Sequence, residues 1–480
     1  MSPTTLPAAA VPSELVPAAT SGGRPLVERD VVKAHLVASF VFFFASLFAG
    51  LFYALQFSRL YPFPGVELLS PGRLRMVHTN GIAYGFLMNA FIGVMYWVVP
   101  RVTGQPVLSR SLSWLVFWVW QAIVGSAAVG ILLGKAQGIE WGETPTFVDP
   151  VVLAGGAVLA ANIATPILKV RNKPLYVTLW YFSAMLVWLP LTYAMGNFLP
   201  QYFVPGAGGA ALTGLFIHDL VGLTVTPLGW GMMYYFVPVI LKKPVWSHTL
   251  SLVGFWGLAF FYPLNGVHHF LWSPIPMYAQ YGAVMSTIAV EVVVFSVIVN
   301  FFMTLRGRGD ALRTSLPIRW FYSGMVMYFL TCLQCAFQTT LTVQKVIHFS
   351  DWVVGHAHLV MFGVFTSWLL GVVVYLWPKV TGNAWWSEKI NAWNWWLSTL
   401  GVMVMFLDLM VAGVVQGMLW QNLAPWEASL VASMPFWHIR TVAGVAIVSG
   451  QLLQAWNMWM TARSGERAPA VPPAVAPEAA

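Results

Sequence analysis

The chain has 480 residues, of which 58% are hydrophobic, 15% aromatic and only 8% charged. Soluble proteins carry about 25% charged residues, so these proportions exclude a soluble enzyme and describe an integral membrane protein. The formal charge of +8 then records topology rather than a nucleic-acid footprint, and no nucleic-acid partner is expected.

Residues 1–32 are rich in Ala, Pro and Ser. They lack the basic start and early apolar run of a secretory signal, and they read as a disordered cytoplasmic tail. Twelve apolar stretches follow, each of about 20 residues or more, the length that crosses a bilayer. They lie near 33–56, 77–100, 112–134, 149–168, 174–195, 210–240, 249–272, 278–304, 317–340, 352–377, 392–419 and 434–460. Residues 33–460 therefore form one all-α domain of twelve transmembrane helices surrounded by membrane lipid. No internal repeat is evident, and residues 461–480 are a second Pro/Ala-rich tail. The loops joining spans 2–3, 4–5, 6–7, 8–9 and 10–11 hold thirteen Lys and Arg, against five in the alternate loops. Lys and Arg accumulate on the cytoplasmic side, so both termini are expected there.

Cys332 and Cys335 lie in the apolar run "TCLQCAF". No histidine follows to make a haem attachment site, and the pair reads as packing. The ten histidines are more informative. His35 and His248 fall at the cytoplasmic ends of spans and read as structural. His78 begins span 2, His218 lies early in span 6, and His268 and His269 lie late in span 7. His356 and His358 begin span 10, and His438 begins span 12. With alternating span directions, these seven share the outer third of the membrane. Ionisable groups are costly there and imidazole is a common metal ligand, so the layer reads as a metal or haem cluster. The neighbours His268 and His269 can share one metal with His218, a three-histidine set suited to copper. His356 and His358, two apart on a helix, point about 200° away from each other and can serve two separate haems. His78 is available to face one of them.

The motifs "VHTNG" (His78), "FIHDLVG" (His218), "FYPLNGVHHF" (Tyr262, His268, His269) and "HFSDWVVGHAHL" (His356, His358) together resemble the catalytic subunit of the haem-copper oxidases, most closely the cbb3 type. The resemblance runs through nearly all of the twelve-span region. It implies that His78 and His358 ligate a low-spin haem b and His356 a high-spin haem b. His218, His268 and His269 would hold copper B. Tyr262 would be the redox tyrosine, covalently linked to His218. Other oxidase families place that tyrosine four residues after the first copper histidine, where this chain has Gly222. The implied reaction is reduction of O2 to water in a bacterial inner membrane, with proton uptake and pumping. The chain shows no haem c motif and no copper A cysteines, so a cytochrome c-containing partner subunit is expected.

The resemblance gives the remaining polar residues roles as well. Glu140 and Glu143 match an acidic pair beside the haem propionates, where Ca2+ can bridge carboxylates. Arg440 suits a propionate as a bidentate donor, with His438 assisting. Glu291 and Asp408, within apolar runs, read as proton-path residues. Two rivals stand against the oxidase. A nitric oxide reductase of the same superfamily would carry glutamate at position 222 and no redox tyrosine. A twelve-span transporter would use the histidines as proton relays and bind no haem.

Overall fold

The computed structural model describes residues 25–465. Tail residues 1–24 and 466–480 lie outside the described residues. Among the described residues twelve helices are long and apolar enough to cross a membrane, and their composition makes this a multi-pass membrane protein. In chain order they are α1 (Arg29–Phe57), α2 (Pro71–Thr103), α3 (Arg110–Leu132), α4 (Asp149–Lys169), α5 (Val177–Tyr202), α6 (Gly206–Leu241), α7 (His248–Phe270), α8 (Met277–Leu305), α9 (Leu316–Gln338), α10 (Asp351–Thr381), α11 (Glu388–Gln421) and α12 (Trp426–Arg463). The expected spans are all present, and the largest differences lie at the start of α12 and the end of α5. In both places the backbone continues the helix through residues less apolar than the bilayer core demands.

The structure brings out a threefold repeat that was not evident in the sequence. The unit is four helices: α1–α4, α5–α8 and α9–α12. The second helix of each unit carries a proline near its end, Pro100, Pro238 or Pro378. Four residues on, Gly104, Lys242 or Gly382 adopts a left-handed conformation that ends the helix. Five residues later Ser109, Ser247 or Ser387 caps the third helix, its hydroxyl accepting from Leu112, Leu250 or Ile390. The backbone N–H of each serine donates to an asparagine on the fourth helix: Asn162 at 2.9 Å, Asn300 at 2.9 Å and Asn457 at 3.0 Å. Each buried hydrogen bond satisfies a backbone group that lipid could not.

This frame places the second helices at the centre. α2 and α10 are almost wholly enclosed by other helices, and α6 is largely so. α12 packs back against α1 and closes the ring. Each central helix also passes through a wide π-type stretch, at Gly81–Met88, Leu220–Val225 and Leu359–Thr366. These stretches begin just after His78, His218 and His358. Such turns are rare and cluster at functional sites because the extra residue per turn re-aims side chains.

Candidate metal centre

Counting back from the three prolines exposes the site. The position 22 residues before the proline (100 − 78, 238 − 216, 378 − 356) holds His78, Phe216 and His356. The position 20 residues before it holds Asn80, His218 and His358. The two positions face opposite sides of each central helix, so each helix can serve two neighbouring interfaces.

Between α10 and α2, the rings of His358 and His78 stack with centroids 6.1 Å apart and planes at 21°. Two imidazoles on opposite sides of one iron need about 6 Å, from metal–nitrogen bonds of roughly 2 Å. Both Nδ1 atoms are committed as donors: His78 to the Ser46 carbonyl and His358 to the Val354 carbonyl, each at 2.8 Å. The remaining Nε2 lone pairs are left to face each other, as metal-ligating histidines require. This pair fits a saturated, electron-transferring haem.

Between α6 and the end of α7, ligand nitrogens of His218, His268 and His269 all lie within 4.8 Å of one another. The His218 Nδ1 to His269 Nε2 distance is 3.2 Å, about the spacing of two nitrogens on one metal with roughly 2 Å bonds. His268 donates from Nδ1 to the Thr287 hydroxyl at 2.7 Å. That hydroxyl donates in turn to the Ala283 carbonyl, so it is an acceptor towards the ring. The donor set fits copper with an open coordination position. His268 and His269 do not sit on a regular helix as expected from sequence. Pro263 and Gly266 break α7 into tight turns at Tyr262–Leu264 and Gly266–Phe270. Gly266 is required there, because a Cβ would lie 2.2 Å from the Leu215 backbone of α6.

The same break delivers Tyr262. Its ring stacks on His218 with centroids 4.8 Å apart, and the His218 Nε2 is buried without a partner. The ring lies over Gly222, where a Cβ would stand 1.9 Å from it. A tyrosine or glutamate at 222 and a tyrosine at 262 exclude each other sterically, which is the physical content of the motif difference. His356 donates from Nδ1 to Gln334 Oε1 at 2.8 Å, and its Nε2 faces Cys335 Sγ at 3.8 Å. The bond to a side-chain carbonyl tunes the basicity of a ligand. Gln334, Thr287 and Ser46 were missed by sequence reasoning. Gln334 stood inside the "CLQC" run that was read for its cysteines.

The other expected site residues are distributed around these pairs. Arg440 is buried over the Phe57 ring, and its Nε and Nη2 have no partner. The edge it offers suits a carboxylate. His438 is exposed and bonds its own turn at the Met434 carbonyl, so it stands apart from Arg440. Glu143 is buried and accepts from Asn80 at 2.7 Å, whereas Glu140 is half exposed. Arg75 lies between them, 3.5 Å from Glu143 and 3.8 Å from Glu140. Burial pushes the Glu143 carboxyl above its ordinary range, against the opposing effects of Asn80 and Arg75. Calcium takes 6–8 oxygen ligands. Two carboxylates already separated by a guanidinium do not fit it. Glu291 is buried, with Oε2 unpartnered among the described residues. Asp408, on α11, also has an oxygen unpartnered among the described residues, whereas Glu291 is on α8.

A family model described as "Cytochrome C and Quinol oxidase polypeptide I" matches residues 30–446. The chain belongs to this family. It is 28% identical to a "Cytochrome c oxidase subunit 1 homolog" of Agrobacterium tumefaciens over 91% of this chain and 84% of the relative. It is equally similar, 28%, to the "Cbb3-type cytochrome c oxidase subunit CcoN1" of Stutzerimonas stutzeri, over 91% and 96%. A nitric oxide reductase chain of the same organism is more distant, at 24% over 88% and 92%. A heme-copper terminal oxidase solved by electron microscopy shares the fold, with TM-score 0.75 at 14% identity over 92% of this chain and 85% of the other. As a haem-copper oxidase subunit I, the chain is an oxidoreductase of electron transport whose family carries haem and copper B.

Proposed function

We propose that this subunit reduces dioxygen to water as the catalytic part of a cbb3-type terminal oxidase. One arrangement carries the reading: a three-histidine cluster with Tyr262 stacked on His218 and seated over Gly222. Copper held by His218, His268 and His269 would supply an open Lewis-acid and redox position beside a high-spin haem b on His356. A low-spin haem b between His78 and His358 would supply electrons one at a time. Within that pocket Tyr262 offers a phenol that can give one electron and one proton, and its contact with His218 favours the covalent link between the two rings. Thr287 and Gln334 hold the ligand rings in one tautomer. Arg440 gives its free guanidinium edge to a propionate of the low-spin haem. Glu291 passes protons towards Tyr262, and Asp408 acts on the Arg440 side. Calcium is left out of this set, since Arg75 already supplies the positive charge between Glu140 and Glu143.

The excess of basic residues on one set of loops supports cytoplasmic termini in a bacterial inner membrane. Electrons then come from a cytochrome c-containing subunit docked at the histidine end of the bundle. The cbb3 relative supports such a complex.

The reductase reading retains one supporting observation, the buried Glu291. Metal analysis with parallel O2 and NO uptake separates the two. Copper with O2 uptake supports the oxidase, and non-haem iron with NO turnover alone overturns it. A visible spectrum with two b-type haem signals separates both from a transporter.

A further inference from the structure

Asp351 opens α10, five residues before His356 and seven before His358. Its carboxylate is held more firmly than a helix-capping role requires. Oδ2 accepts from Gln416 Nε2 at 2.6 Å and from Trp437 Nε1 at 2.7 Å. The Gln416 carbonyl in turn accepts from the Asp351 backbone N–H at 2.8 Å, so one amide clamps both ends of the residue. Gln416 is itself fixed by Ser433 at 2.9 Å. Oδ1 remains for Arg440, whose Nη1 lies 3.9 Å away. Both side chains of this ion pair are nearly buried, at 7% and 12% exposure, so solvent screens it weakly.

Arg440 is thus divided. Nη1 leans on Asp351, Phe57 supports the flat face at 4.5 Å, and Nε with Nη2 form a buried edge without a partner. That edge is the bidentate face of a guanidinium. Asp351 and His358 stand about two turns apart on the same face of α10. We propose that Asp351 is a positioning residue for the low-spin haem: it orients Arg440 towards a haem carboxylate and offsets part of its positive charge. The offset lowers the haem's reduction potential, because a nearby negative charge favours the oxidised, more positive iron. This rests on the low-spin haem lying between His78 and His358.

The test is a redox titration of both haem signals in the purified complex carrying Asp351→Asn. The variant keeps the shape and removes the charge. The low-spin haem should become easier to reduce by about tenfold in its reduced-to-oxidised ratio at fixed ambient potential, which is 59 mV for one electron. The high-spin signal should move less. Asp351→Glu should return the low-spin value most of the way, which a purely structural role does not predict. Arg440→Gln should shift it the other way. In the Asp351→Asn, Arg440→Gln double variant the two shifts should fail to add, because the residues are in contact. If Asp351→Asn does not retain haem, Trp437→Phe serves instead. It removes one hydrogen bond and leaves the carboxylate charge less neutralised, so the low-spin haem should become harder to reduce. An unchanged low-spin potential in whichever variant retains haem overturns the proposal. Loss of the low-spin signal in the unmutated complex would instead overturn the haem assignment beneath it.

Discussion

Two of the three interfaces between the central helices carry histidines at the repeat positions and the third does not. At the α10–α2 interface the repeat positions hold His358 stacked on His78, and on α6 and α10 they also hold His218, which meets the α7 pair, and His356. At the α2–α6 interface the same positions hold Asn80 and Phe216. The loop between α3 and α4 fills that interface. Asn80 donates to Glu143, Phe216 lies against Gly142, and Tyr84 donates to the Trp141 carbonyl. Beside this plug lies an apolar cavity of about 50 Å³, bounded by residues such as Phe42, Ile123, Ala127 and Val152. The prolines, serine caps and asparagines are the same in all three units. The frame is therefore common to all three interfaces, and the side chains at the repeat positions distinguish them.

The largest effect expected from breaking this contrast is at the loaded interfaces. His358→Ala should remove the low-spin haem signal altogether, while His356→Ala should spare that signal and abolish O2 uptake. Identical spectral losses in the two variants would mean that the helix does not divide its ligands. At the plugged interface Asn80→Ala should leave both haem signals in place. It should still lower stability by about 1–3 kcal/mol, because it strands the buried Glu143 carboxylate. Thermal unfolding followed by haem absorbance measures both halves of that statement. Next in size is Gly222→Ala, which drives a Cβ into the Tyr262 ring. A displacement of about 1 Å at a reacting group can cost roughly a hundredfold in rate. O2 turnover should fall by about that factor with haem and copper contents preserved. Turnover near the unmutated level would show that Tyr262 is not held by this contact.

The sequence made the helices and the metal histidines legible because both leave long or chemically unusual signals. Spans of about 20 apolar residues announce themselves, and histidine is rare in a membrane. The repeat was not legible because it consists of a proline, a left-handed residue, a serine and an asparagine spread over very different apolar fillings. The Ser–Asn separation is 53 residues in two units (162 − 109, 300 − 247) and 70 in the third (457 − 387). The tight turns at Tyr262 and Gly266 were hidden because an apolar run reads as helix until a neighbouring backbone is known to press on it. Asp351 and Gln334 were hidden because their partners on α11, α12 and α10 are far away in sequence or are themselves ligands.

The smallest predicted effect concerns the plug itself, where an arginine stands between two carboxylates that sequence alone assigned to calcium. If Arg75 is the resident cation, treatment with a calcium chelator should leave the haem spectra and the unfolding temperature unchanged. Arg75→Gln should weaken the plug by up to about 1 kcal/mol, since its charge is partly screened by solvent. Burial raises the Glu143 carboxyl above its ordinary range, so folding disfavours its charged form relative to the unfolded chain. The stability this group contributes is present at low pH and is lost as pH rises through its raised value. Removing Arg75 takes away an opposing charge and raises it further. The deficit of Arg75→Gln should therefore grow from acidic towards neutral pH and vanish in the Arg75→Gln, Glu143→Gln double variant. A deficit that is independent of pH, or one that added calcium repairs, would return the site to a divalent ion.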